Sequence, residues 1–216
     1  SQAVTVLKKH KQPFLVVENN PIAIEEIKKH NPELLLVVGD ATHDEVLEEA
    51  GIQTAQALIT TLPSDSNNLF VVLSARSVNS SIKIISRASE DNSDKKLRIA
   101  GANNVIMPDK IGGAHMASLV MKPDIIEFMD YISAQSNIDI NLEELSFDVL
   151  PERFRGKSIT EIGIRQLTGA NIIGLKRDDG AFEINPNPET LITSKIKVFV
   201  LGTPGQIKKL NELFQV

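Results

Sequence analysis

The chain has 216 residues, 42% of them apolar, with a formal net charge of −5, which is long enough for one large or two modest domains that each bury a core. Cysteine is absent, which excludes a disulfide framework and thiolate metal sites and fits a reducing compartment. Lys and Arg are scattered through an acidic chain, which argues against a nucleic-acid groove. No apolar run reaches the roughly 18 residues that cross a bilayer, and no basic-then-apolar leader sets an expectation of secretion.

In chain order, Gln2–His10 reads as a helix and Phe14–Val17 as a strand. Asn20 with Pro21 supplies the cap and first residue of a second helix. Leu34–Val38 is the next strand, Thr42 through Glu45 spells a capping box, and Gly51 stops the helix that follows. Ala57–Thr60, Ile82–Ile85 and Asn104–Met107 complete the apolar runs, with Gly101 just past another helix end. Such near-continuous hydrophobicity is what doubly covered strands need, so the alternation predicts a parallel sheet between helical layers. A Rossmann domain opens with a strand and a glycine-rich turn, whereas these residues open in a helix. The expectation is that the first strand and its phosphate turn are missing from this numbering or come from another segment; the alternative is a smaller sheet that starts here.

Beyond the sheet, Ala114–Val120 is helical in pattern and Pro123 interrupts or restarts it. Ile125, Ile126, Phe128, Met129 and Ile132 then form a broad apolar face. Polar, Asn-rich residues 134–145 read as a linker. A second lobe follows: strand Ser146–Leu150, helix Thr160–Leu167, strands near Ile172–Arg177 and Lys197–Leu201 with a hairpin signal at Asp179-Gly180, and a closing helix Pro204–Phe214.

Open α/β sheets bind ligands at the carboxyl ends of their strands. Glu18, with Asn19 beside it, follows Val17, where an ionised carboxylate can accept from two ribose hydroxyls; the alternative is a solvated acid at a helix start. Thr60, Thr61 and Leu62 close the third strand and open a helix whose first amides can meet a phosphate or ribose, although Ser64 and Asp65 also explain this segment as a structural cap. Arg87 ends the fourth strand, where a guanidinium can bind phosphate oxygens bidentately or pair with Glu90 or Asp91. His10, His30, His43 and His115 are dispersed, so zinc chemistry has little support. No nucleophile elbow, Walker loop or paired carboxylates point to catalysis, and a protein that is not an enzyme is expected.

Three segments carry a family resemblance: Gly156-Lys157-Ser158-Ile159 through Leu167, Ile172 through Gly180, and Val198 through Ile207. They resemble the C-terminal lobe of the regulator-of-potassium-conductance (RCK) family, the TrkA-C module, over the last third of the chain. Gly39-Asp40-Ala41-Thr42 extends the likeness to the N-terminal, TrkA-N lobe, where members carry a similar turn at the base-binding edge. There Ala41 leaves room for a purine and Asp40 accepts from a base donor, while Asp40 and Thr42 also suit helix capping.

The resemblance implies a Rossmann-like α/β lobe over residues 1–110, crossover or dimerisation helices over 111–135, and a small α+β TrkA-C lobe over 136–216. It implies binding of NAD or an adenine nucleotide (ATP, ADP or AMP) by Glu18, Asn19, Asp40, Ala41, Thr42, Thr60, Thr61, Leu62 and Arg87. Some nucleotide-binding relatives place a divalent-cation acid where Asp109 stands, although an Asp after Pro is also a common turn residue. Calcium-gated members carry carboxylates where this sequence has Arg87 and Ser89. The crossover resembles the channel-associated version, which packs on a partner subunit; intramolecular core packing is the other reading. The expected protein is a cytoplasmic gating module at the inner face of the cell membrane, assembled as a homodimer or larger ring on a potassium pore, with no nucleic-acid partner. A separate regulatory subunit of a potassium transporter is the alternative, and a nicotinamide-dependent oxidoreductase a more distant one.

Overall fold

A computed structural model describes residues 2–133, 141–146, 152–154, 156–193 and 195–214. The chain divides into two compact units, residues 1–116 and 117–216.

The first unit alternates helix and strand: α1 (Gln2–Lys9), β1 (Leu15–Glu18), α2 (Pro21–His30), β2 (Leu35–Val38), α3 (Asp44–Glu49), β3 (Ala57–Thr60), α4 (Asp65–Val78), β4 (Lys83–Arg87), α5 (Asp91–Ile99) and β5 (Asn104–Ile106). All strand pairs are parallel, as their apolar runs require. The sheet is in two pieces, β1–β2 and β3–β4–β5. Each of β1 and β3 therefore keeps one edge without a strand among the described residues.

Burial follows this division. Val71, Val72 and Ala75 of α4, Ile82 and Ile84 around β4, and Leu97 of α5 are almost fully enclosed. No residue of α1, β1, α2 or β2 is buried, and Leu35 and Ile22 remain 68% and 72% exposed. An inserted parallel strand would cover such surface and satisfy both open edges.

Local signals set most boundaries. The Asn20 side chain accepts from the amides of Ile22 and Ala23, and Pro21 begins α2 as the sequence implies. Gly51 and Gly101 take positive φ, 75° and 110°, immediately beyond the caps of α3 and α5. The expected Thr42–Glu45 capping box does not form. His43 is the N-cap of α3 and contributes no side-chain bond, because Thr42 is drawn to Asp40 instead.

Helix α6 (Pro108–Met121) begins well before Ala114, so Asp109, Lys110 and both glycines of Gly112-Gly113 lie inside it. Pro123 does restart the chain, as α7 (Pro123–Ser133). Ile126 is half-buried, whereas Ile125, Phe128 and Met129 are more than half exposed.

In the second unit, β6 (Asn141–Ser146) takes up the end of the stretch expected to be a linker and the first residue of the strand expected over Ser146–Leu150, whose remaining residues, 147–150, lie outside the described residues. The sheet runs β6, β9 (Lys197–Gly202), β7 (Asn171–Lys176), β8 (Phe182–Ile184), with every pair antiparallel. The expected helix over Thr160–Leu167 is two short helices, α8 (Ile159–Ile162) and α9 (Ile164–Thr168). Gly163 at φ 66° breaks them apart, a left-handed conformation that glycine adopts without steric penalty. Ser158 and Glu161 form a reciprocal capping box at the head of α8. Helix α10 (Pro204–Phe214) seats Ile207, Leu210 and Phe214 in a core with Leu175, Val198 and Val200.

Candidate functional site

Two clusters form at the carboxyl ends of the parallel strands. At the end of β1, Glu18 Oε1 accepts from the amides of Asn19 and Asn20 at 3.0 and 2.9 Å, which fixes the carboxylate beside the head of α2. The Gly39 amide donates to the Glu18 carbonyl at 3.0 Å, so the β2 turn is tied to the same point. A Cβ on Gly39 would lie 2.8 Å from Val46 Cγ2, which explains glycine there. Asp40 Oδ1 then accepts from the Thr42 amide at 2.9 Å and the Thr42 hydroxyl at 2.8 Å. These bonds, the amide first, hold the Asp40 carboxyl below its ordinary range, so it is ionised at neutral pH. The sequence-derived residues Glu18, Asn19, Asp40, Ala41 and Thr42 thus gather around one pair of strand tips.

The second cluster joins β3 to β4. Thr60 is 5% exposed and its hydroxyl donates to Asn68 Oδ1 at 2.7 Å, so that hydroxyl is turned inward. Asn68 Oδ1 also accepts from the Leu62 amide at 3.0 Å, and Asn68 Nδ2 donates to the carbonyls of Leu62 at 2.9 Å and Arg87 at 3.2 Å. Thr61, between them, is exposed.

Arg87 is half-buried, and its Nε is enclosed with no hydrogen-bond partner. Neither anticipated ion pair, with Glu90 or with Asp91, is present among the described residues; Asp91 pairs instead with Lys110. Just beyond the end of β4, Asp65 accepts from the amides of Ser89 and Glu90 at 2.9 to 3.1 Å. No hydrogen bond among the described residues links the Glu18–Thr42 cluster to the Thr60–Arg87 cluster.

Asp109 lies in the first turn of α6, and no group of three His, Asp or Glu side chains gathers at cation-binding distance among the described residues. The expected divalent cation therefore finds no support.

Asn68 was not among the sequence-derived candidates. The signal was present: the buried positions of α4 are 68, 71, 72 and 75, so the helical period places a polar amide on the core stripe.

A parallel α/β unit with polar groups at its strand tips is followed here by a small antiparallel lobe, a two-part α/β regulatory-domain architecture that the family comparison identifies. The TrkA-N domain family matches residues 1–108 and the TrkA-C domain family residues 145–215. The chain belongs to the TrkA-N family, with a TrkA-C domain following. It is 37% identical over 205 residues to the probable potassium channel protein 2 of Methanocaldococcus jannaschii, covering 93% of this chain and 60% of that protein. The structure of the GsuK channel bound to NAD matches 99% of this chain and 36% of that chain at 26% identity, with a TM-score of 0.50. The human SLO3 gating ring matches with a TM-score of 0.68 over 92% of this chain and 40% of that chain; at 16% identity that likeness concerns the fold. The chain spans 60% of the length of the Methanocaldococcus jannaschii relative and of potassium channel protein 1 of the same organism.

Proposed function

We propose that this chain is the cytoplasmic ligand-sensing module of a potassium channel, and that it binds NAD or an adenine nucleotide at the carboxyl ends of β1 to β4. The observation that carries the reading is the enclosed Nε of Arg87 without a partner. A buried unsatisfied donor is unfavourable by about 1–3 kcal/mol and more when charged, so Arg87 gains from a ligand anion that its side chain shifts to meet. A guanidinium at a strand tip offers that anion a planar, permanently charged fork. Glu18 is the ribose acceptor at the other cluster, and the half-buried Asp40-Ala41-Thr42 turn borders the base. The NAD-bound GsuK channel, whose likeness covers nearly the whole chain, supports the same ligand class.

Ligand binding becomes work by favouring one of two arrangements of the assembly. A tenfold difference in affinity between them moves the equilibrium by about 1.4 kcal/mol per site, and several sites in a ring add. The exposed α6–α7 surface, with Val120 at 85%, Met121 at 70% and Phe128 at 59%, is the subunit contact in this proposal. Its partners are further copies of the chain and a potassium pore.

The test is a thermal-shift panel of NAD, NADH, ATP, ADP and AMP on the chain expressed with its native flanking sequence. A ligand at one hundred times its Kd stabilises the folded state by about 2.7 kcal/mol. Arg87→Ala should abolish the shift for phosphorylated ligands while leaving the unliganded melting point close to the wild-type value. An unchanged shift would remove Arg87 from the site, and the absence of any nucleotide shift in wild type would overturn the reading. Steady turnover of NADH would favour the oxidoreductase alternative.

A further inference from the structure

We infer that Asn68 is the positioning residue of this site, holding Thr61 and Arg87 at a fixed spacing; the inference rests on the nucleotide reading above. A carboxamide offers one oxygen with two acceptor directions and one nitrogen with two donors. Asn68 uses all four: its oxygen takes the Thr60 hydroxyl and the Leu62 amide, and its nitrogen gives to the Leu62 and Arg87 carbonyls. Both backbone groups of Leu62 are thus held by one side chain, much as a neighbouring strand would hold them. The second donor carries that clamp across to the last residue of β4.

Asn68 is 0% exposed, so water replaces none of these partners. No other side chain of similar size supplies the set. Aspartate would face two carbonyls with acceptors alone, leucine would leave the backbone groups unpaired, and glutamine is one methylene too long for the enclosed space. Asp65 stands three residues earlier on the same helix and holds the Ser89 and Glu90 amides. The first turn of α4 therefore grips the backbone at Arg87 and again just beyond it, so the backbone that carries the half-buried Arg87 side chain is fixed.

A built-in control exists. Asn79 is 9% exposed and its Nδ2 donates to the carbonyls of Ile52, Gln53 and Ala55, while its Oδ1 accepts from the Ser81 amide and hydroxyl. The chemistry is the same, but it lies where the chain enters β3 and β4, away from the strand tips. Loss of either asparagine should weaken the fold; only loss of Asn68 should loosen the ligand.

The experiment compares Asn68→Ala, Asn68→Asp and Asn79→Ala with wild type, each with native flanking sequence. Urea unfolding gives stability, and calorimetric titration of the folded protein with NAD and ADP gives affinity. Both alanine variants are expected to unfold at lower urea. The Asn68 variants should bind about tenfold more weakly or worse, as expected for displaced charge-assisted contacts, while Asn79→Ala keeps wild-type affinity. Should Asn68→Ala not fold, Thr60→Val removes one of the four bonds in an isosteric side chain and must still lower affinity several-fold relative to Asn79→Ala. Wild-type affinity in folded Asn68→Ala, or an equal loss in Asn79→Ala, overturns the positioning role alone. No nucleotide binding in wild type overturns the underlying reading, and this role with it.

Discussion

Replacing Asp65 with alanine tests how the head of α5 is held. The Asp65 carboxylate satisfies two amides there, at Ser89 and Glu90, and the N-cap residue Glu90 makes no side-chain capping bond. Losing a cap typically destabilises by about 1 kcal/mol and at most about 2, and water partly replaces the bonds at this half-exposed site. The expected loss is therefore about 1 kcal/mol, or roughly 5 °C in the Tm of a unit this size. Burial by itself raises the Asp65 pKa, but hydrogen bonds from Ser93, Glu90 and Ser89 outweigh it and leave the carboxyl below its ordinary value. A lowered folded-state pKa means the stabilisation is fully present above the unfolded value of about 3.9 and disappears as pH falls through the folded one. Urea midpoints of wild type and Asp65→Ala should thus differ at pH 7 and draw together only as the pH falls below the unfolded value, through the lowered folded one. Equal midpoints at pH 7, or a gap that persists undiminished in acid, would refute this account of the α4–α5 junction.

Two further outcomes follow from packing. Leu175 is 0% exposed at the centre of the C-terminal sheet, so Leu175→Ala should destabilise that unit by about 2–5 kcal/mol in denaturant unfolding; a change under about 1 kcal/mol would mean that the core collapses around the gap. Phe128→Asp places a charge on the exposed face of α7 and should weaken subunit association by at least about thirtyfold, read by sedimentation at several concentrations. A sedimentation profile identical to wild type would remove that face from the interface.

Many elements of both units were legible because their signals are local. Pro21 and Asn20 fix the head of α2 through one ring and one side chain, and Ala57–Thr60 and Pro204–Phe214 fall where apolar run and periodicity place them. Strand β6 was hidden because Asn141–Ser146 contains four polar or acidic residues and two leucines, of which only Leu145 is buried. Its strand character comes from β9, whose Val198 and Val200 it covers, and β-propensity depends on such partners. The break at Gly163 was equally hard to read, since glycine within a helical pattern is often tolerated until the backbone turns left-handed.

The candidate site divides the same way. Glu18, Asp40 and Arg87 could be named from sequence because a residue that ends a parallel strand has its position fixed by the strand itself. What Thr60 and Asn68 do could not be named, because which of a residue's polar groups faces inward depends on partners eight and nineteen residues away in the chain. Sequence alone determined the alternation of helix and strand in the first unit, the α/β class and the family, each encoded in short-range pattern. Tertiary structure decided that the parallel sheet stands in two pieces, that Thr60 is turned inward, and that Arg87 keeps an enclosed nitrogen without a partner. Those facts depend on which polar groups meet when distant segments close against one another, and burial makes each unmet one energetically consequential.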